Sequence, residues 1–392
     1  MGIESLEGIE YLHALQELFL GYKWEDGVPD KYNSISDITP LRELTNLRLL
    51  NLEGNQVSDI TPIEHLIHLE GLWIGDNDVT HIHPVGSLIG LLWLGIEVND
   101  ISDISYIGNL TNLIYLNFSM NKVSDIRSLA NLENLEDLYF WDNKVENIDA
   151  LKGLEHLKIL NMGNNKISSI EALSSLHDLE ELHLWNNNVT DISSLEQLNN
   201  LFYLDIAENN ISDISVLEHL SDLRGLVFSS INVSDISILE HLITLRGLRF
   251  DSNNVSDISV LEHLTDLVWL HFSDNNVSDI SVLEHLTNLE GLTFGSNNVS
   301  DISVLEHLTN LEWLEFWVND VSDITAFEHL TNLRWLYFGE NNVSDITPLA
   351  NNTGFGVGDV IDMHNNSLDI ADGSDTMTQI QSLIDRGVEV RY

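Results

Sequence analysis

Leucine recurs every 22 residues from Leu47 to Leu333, through 69, 91, 113, 135, 157, 179, 201, 223, 245, 267, 289 and 311, with no insertion or deletion. Each unit reads L-x-x-L-x-[LIFM]-x-x-N-x-[VI]-x-x-I-x-x-[LIVF]-x-x-L-x-x, and residues 289–310, LEGLTFGSNNVSDISVLEHLTN, are a representative copy. A fixed period of this length marks a chain that stacks one small unit on the next. Two shorter periods coexist inside the unit. Alternation in Leu292-Thr293-Phe294 predicts a short strand with one buried face. The spacing of three from Ile302 through Leu305, Leu308 and Leu311 predicts a 3₁₀-like or extended return segment with one inward face. One strand and one return cannot bury a core alone, but stacked coils bury a continuous one.

The asparagines follow from the stacking. Asn55, Asn77, Asn99, Asn121, Asn143, Asn165, Asn187 and Asn209 are in register, and so are Asn253, Asn275, Asn297, Asn319 and Asn341. A buried amide must find partners, and a ladder of them is expected to bond the turning backbone of its own and adjacent coils. Ile231 takes the asparagine position in one unit, so a local irregularity is expected there. Asp191, Asp213, Asp235, Asp257, Asp279, Asp301, Asp323 and Asp345 form a second row. The Ser-Asp pair before each return is a natural capping and turn sequence. A row of Ca²⁺ ions is the alternative, because oxygen ligands at such spacing suit hard cations.

Charge narrows the partners. The chain of 392 residues has 63 acidic and 16 basic side chains and a formal charge of −47. That excludes nucleic acid, whose binding is driven by Lys and Arg, and anionic membrane surfaces. No apolar run reaches the ~18–20 residues of a membrane span. Met1-Gly2 leads straight into patterned sequence, with no basic stretch and apolar core of a signal peptide. Cysteine is absent, which removes disulfides and thiolate sites. There is no phosphate loop, HExxH or G-x-S-x-G, so no enzyme is expected and no cofactor or metal residue is assigned. Much of the charge follows from copying one Asp and one Glu per repeat.

Over residues 3–368 the motif resembles the leucine-rich repeat in its 22-residue class, shared by bacterial internalin-like surface proteins and the eukaryotic phosphatase-regulator type. The resemblance implies an α/β solenoid: a right-handed horseshoe with a parallel β-sheet on its concave face and 3₁₀ or extended segments on its convex face. It also implies binding rather than catalysis. The solenoid is read as residues 1–346, about 15 units, and the last strand and C-terminal helical cap as residues 347–392. The N-terminal segment Ile3, Leu6, Ile9, Leu12, Leu15 begins mid-repeat without the capping helix of internalins. A loop insertion at 21–33 carries Tyr22, Lys23, Trp24, Lys31 and Tyr32 and is expected to be a lid or end protection. At the other end Ser374 or Asp375 is expected to cap a helix with Met377, Ile380, Leu383 and Ile384 inward, Gly387 to end it, and 388–390 to form a strand, as in prokaryotic leucine-rich repeat caps.

Comparison of the repeats with one another locates the candidate site. The segments NVSDISVLEHLTDL and NVSDISVLEHLTNL are nearly constant, whereas the strands LVWLHFSDN, LEGLTFGSN, LEWLEFWVN and LRWLYFGEN differ at outward positions. Diversity confined to one face points to a surface that reads a partner. Eight of the nine tryptophans fall at outward strand positions: Trp73, Trp93, Trp141, Trp185, Trp269, Trp313, Trp317 and Trp335. Tyr115, Tyr139, Tyr203 and Tyr337 join them, and Trp313 and Trp335 should be direct neighbours. Exposed aromatic rows mark binding surfaces. Arg224, Arg246 and Arg249 break the acidic trend and should meet an acidic group of a partner or pair with Asp205, Glu208 or Asp251. The expected function is therefore protein recognition on the aromatic face, by a monomer that is secreted or at the cell surface. The alternatives are glycan binding and an acidic, divalent-cation-binding adhesive module.

Overall fold

The computed structural model describes residues 2–21 and 33–392, together with the backbone of 24–25 and 28–29. It contains two compact units, Met1–Leu201 and Phe202–Tyr392. In the first, parallel strands run from Glu17–Phe19 through Leu49–Asn51, Gly71–Trp73 and successive coils to Glu181–His183. In the second they run from Tyr203–Asp205 through Gly225–Val227 and onward to Val360–Asp362 and Glu389–Arg391. Each strand is three residues long and pairs with the equivalent residues one coil away, as in Leu292 opposite Leu314. The return segments are 3₁₀ turns, such as Ser281–His285 and Ser303–His307, as the spacing of three predicts.

The core is layered. From Leu50 to Leu336 the central leucine of each strand is buried, and so is the large apolar residue two positions on. In the second unit that next residue is phenylalanine in every coil from Phe228 to Phe338, and neighbouring rings stack at 5.5–5.7 Å. Each buried ring contributes about 2 kcal/mol through removal of apolar surface from water.

The asparagine ladder turns the chain. The Asn275 amide donates to the carbonyls of Phe272 and Ser273 in its own coil at 3.1 Å each and to Phe250 of the preceding coil at 3.0 Å. Its carbonyl oxygen accepts from the Val255 N–H at 3.0 Å. The residue before each ladder asparagine is in the left-handed region, even at Val98 and Val318, both at φ 51°. The side-chain bonds hold a conformation that a β-branched residue resists.

A second ladder escaped the sequence reading. Asn112, Asn134, Asn288, Asn310 and Asn332 donate to a carbonyl of the preceding coil at 2.8–2.9 Å, and the Thr244 hydroxyl does the same for Ser221 at 2.8 Å. These positions look in the sequence like any polar residue before a buried leucine.

The irregularity at Ile231 is present. Elsewhere the N–H two residues past a ladder asparagine donates to the asparagine of the next coil, as Val255 does to Asn275 at 3.0 Å. Ile231 offers Ile211 no such oxygen, and its buried side chain is followed by an additional left-handed residue, Asn232 at φ 61°. The Ile211 amide is expected to exchange with solvent faster than its counterparts Val255 and Val299, by an amount set by easier local opening. Equal protection of the three amides would contradict this.

The ends differ in detail from expectation. Residues 24–25 and 28–29 pair as a short antiparallel ribbon, and the role expected of the loop's side chains lies outside the described residues. The C-terminal helix is Asp375–Asp385, and the Ser374 hydroxyl accepts from the Met377 N–H at 3.1 Å. Thr376, Ile380 and Leu383 face inward. Ile384, expected inward, is 40% exposed because the buried stripe is set by the spacing of Thr376, Ile380 and Leu383. Gly387 takes φ 94° to end the helix, and Arg386 ties the cap to the solenoid through the Asn352 carbonyl at 2.6 Å.

Candidate functional site

The parallel register sets the outward side chains of each strand in columns. In the first unit one column holds Trp93 and Tyr115, a second Trp73 and Tyr139, and a third, just past the strands, Trp141 and Trp185; in the second unit one column holds Tyr203, Trp269, Trp313 and Trp335, the next Arg249 and Tyr337, and the one past the strands Trp317. The alternation that buries leucine on one side forces these residues to the other. All of the aromatic residues named as the candidate site are thus outside the core, yet all are half-buried except Trp269, which is 43% exposed.

Their partial burial has a cause in the sequence. Glycines at outward positions act as seats. The Trp73 ring lies over Gly71 and Gly95, Trp185 over Gly163, Tyr203 over Gly225, Trp269 over Gly291 and Trp317 over Gly295, so that a β-carbon at any of these glycines would overlap the ring. The rings are held flat to the sheet rather than extended into solvent. Tyr115 and Tyr139 also meet at 5.6 Å, Trp313 and Trp335 at 5.4 Å, and Trp313 and Tyr337 at 5.8 Å. Trp313 and Trp335 are register partners.

The arginines separate. Arg249 pairs with Asp251 at 2.5 Å, the internal reading of the two that its sequence position allowed. Arg224 and Arg246 occupy a flanking column, are exposed, and take part in no ion pair among the described residues. They remain available to an acidic group.

Sequence reasoning missed the ionisable residues that the outer face half-buries. Glu97 is the foremost. Its Oε2 is sealed from solvent with no hydrogen-bond partner, and its side chain lies where a β-carbon at Gly75 would sit. Burial pushes its carboxyl up to about 7, and the charge of Glu53 adds to the shift. The folded chain thus holds a proton that the unfolded chain releases above pH ~4.5, and stability falls as pH rises from there to about 7. Glu97→Gln is expected to stabilise the protein at pH 8 by up to about 3 kcal/mol and to leave it unchanged at pH 4. Thermal melts at both values check this, and a stabilisation equal at both would contradict it. Burial also raises Glu315, which accepts from Trp313 Nε1 at 3.0 Å, and lowers His271, which stacks on Trp269 at 6.5 Å. The signal that could have found them is an acid or histidine at an outward strand position beside glycine or tryptophan.

The aspartate row has a structural use. In each coil one carboxylate oxygen accepts the N–H two residues on, at 2.9 Å for Asp213, Asp257 and Asp301 and 2.8 Å for Asp279. These bonds lower the carboxyl pKa, so their contribution is present above the usual carboxylate range and is lost as pH falls through it. Among the described residues no three acidic or histidine side chains converge as a group that could hold a metal ion. Nor is any helix among them long and apolar enough to cross a membrane.

The comparisons with known proteins agree with this geometry. The chain is similar to an internalin of Listeria monocytogenes, with 29% identity, 93% of this chain and 89% of that one covered, and a TM-score of 0.64. It shares its fold with a leucine-rich repeat protein of Leptospira interrogans, at 20% identity, full coverage of both chains and a TM-score of 0.82. It also shares it with the leucine-rich repeat ectodomain of a plant membrane receptor kinase from Arabidopsis thaliana, solved in complex with Casparian strip integrity factor 2. That match has 19% identity, 97% of this chain and 50% of that one covered, and a TM-score of 0.67. A search of curated proteins returns no match. The model of the leucine-rich repeat region matches residues 31–263, and that of paired leucine-rich repeats matches residues 265–307. The chain therefore belongs to the leucine-rich repeat family, a family of non-enzymatic protein-interaction scaffolds.

Proposed function

We propose that the chain recognises a protein partner through the aromatic outer face of its sheet strands. The observation that carries this reading is the seating of tryptophan on glycine. Stability asks nothing of these positions, since the leucine and phenylalanine layers already fill the core. Large rings preorganised on glycine present apolar area with little entropy left to lose, which is how interface anchors act. Trp73 and Trp185 are such rings in the first unit, and Tyr203, Trp269 and Trp317 in the second; beside them the ring contacts Tyr115–Tyr139, and Trp313 with Trp335 and Tyr337, add an apolar patch to each unit. Arg224 and Arg246 are the cationic contacts for an acidic group on the partner. The receptor ectodomain noted above, solved with its bound factor, supports the use of this fold in recognition. A secreted or surface location, and action as a monomer, go with the internalin-like resemblance.

The test uses a partner recovered by affinity selection. Its binding is expected to fall when Tyr115 and Tyr139, or Trp313 and Trp335, are changed to serine. It should persist when His285 and His307, on the 3₁₀ side, are changed to serine. The reverse pattern would place the partner on the other side of the coils.

A further inference from the structure

On the outer face of the second unit, aromatic rings close around polar groups. Trp269 and Trp317 come from the coils on either side of strand Gly291–Thr293, and they lean onto the same coil from both sides. Trp269 rests over Gly291 and Trp317 over Gly295. They bracket Thr293, midway between the two glycines. The register places His271 on one flank of Thr293 and Glu315 on the other. The result is an open cleft of about 570 Å³ with Trp313, Ser273 and the Arg249–Asp251 pair also in its lining. That size is within the range of small-ligand sites, roughly 300–1,000 Å³.

Two hydroxyls in this lining, Ser273 Oγ and Thr293 Oγ1, are buried and have no hydrogen-bond partner. Thr293 is only 8% exposed and Ser273 6%. An unpartnered buried hydroxyl opposes folding, and of those among the described residues these two share the lining of one cleft. Alanine or valine would fill either position without that penalty.

The lining groups define the ligand. Indole faces take up the C–H faces of a ring. Hydroxyls, a carboxylate and an imidazole give and accept hydrogen bonds in several directions. Net charge is not what the cleft offers. Asp251 holds Arg249 within it, Glu315 already accepts from Trp313, and burial favours the uncharged forms of His271 and Glu315. A lysine or arginine side chain would meet the Arg249 charge and use only the acceptors. A ring bearing several hydroxyls uses both donors and acceptors.

We propose that the cleft over Thr293, bracketed by Trp269 and Trp317, binds a pyranose ring of a saccharide. The cleft shares Trp269, Trp313 and Trp317 with the proposed recognition face, but it is defined by its own hydroxyls and register and does not rest on that reading.

The experiment titrates the full chain with free glucose, galactose, mannose, N-acetylglucosamine and N-acetylgalactosamine, read by tryptophan fluorescence and calorimetry. N-acetyllysine methylamide serves as a cationic probe. Saturable binding of at least one sugar with a millimolar Kd is expected. Trp269→Ala should weaken it about tenfold, and Thr293→Val about fivefold. Because the Thr293 hydroxyl is unpartnered in the free protein, Thr293→Val should keep or raise the Tm, which separates lost binding from lost folding. Tyr106→Ala, at an exposed ring on the 3₁₀ segment Ser105–Asn109 of the other unit, should leave sugar binding unchanged. The proposal is overturned if no sugar saturates, if both cleft variants bind as the parent does, or if only the lysine probe binds. A chain that binds no sugar but still loses its protein partner with Trp313→Ser and Trp335→Ser refutes the cleft alone.

Discussion

Asn275→Ala is expected to destabilise the protein by about 4 kcal/mol, because it strips an acceptor and two donors from groups sealed away from water. The Val255 N–H loses its acceptor, and the carbonyls of Phe250, Phe272 and Ser273 lose the amide that gathers them. Val255 is fully buried, so no solvent molecule replaces the lost partner without disrupting the coil. In a unit of this size that loss corresponds to a fall in Tm of roughly 10 °C. Asn276→Ala is the internal control. Asn276 is exposed, and its backbone N–H donates to the Val255 carbonyl of the preceding coil at 2.8 Å. Its replacement should change stability by less than about 0.5 kcal/mol. Matching thermal shifts for the two variants would show that the ladder does not hold the turns.

The second large effect is on binding. Replacing Trp93, Trp313 and Trp335 together with serine is expected to weaken partner binding by roughly 100-fold or more, since buried aromatic anchors carry most of an interface's energy. The leucine and phenylalanine layers are untouched, so the fold should survive. The Trp313–Trp335 contact at 5.4 Å accounts for about 1 kcal/mol of lost packing and a small fall in Tm. Unchanged affinity in a folded triple variant would assign the partner to another face. Unlike Asn275→Ala, this variant separates recognition from stability, because recognition is laid on positions that the core does not use.

Much of this was legible in the sequence because the repeat multiplies each physical demand. Thirteen identical steps made the strand, the return turn, the asparagine ladder and the Ile231 break readable from one unit. The outward direction of the tryptophans followed from alternation alone. Other features depend on what lies one coil away, and a single unit does not show them. Gly291 reads as a weak strand residue until Trp269 is seen to rest on it. Glu97 reads as one more acid among 63, and only the closing of its neighbours over Oε2 sets it apart. Arg249 was open to two readings, and the nearness of Asp251 chose the internal one. Ile384 was placed inward by helical spacing, but the buried stripe of Thr376, Ile380 and Leu383 leaves it outside.

Photocrosslinking from chosen positions tests recognition by the outer face most directly. A photoreactive phenylalanine analogue is placed at Trp313 in one sample and at His285, on the 3₁₀ side, in another, and each is irradiated with the selected partner. The account predicts adducts from position 313 that are suppressed by excess unlabelled chain, and none from position 285. Adducts from 285 alone, or equal adducts from both, would contradict it.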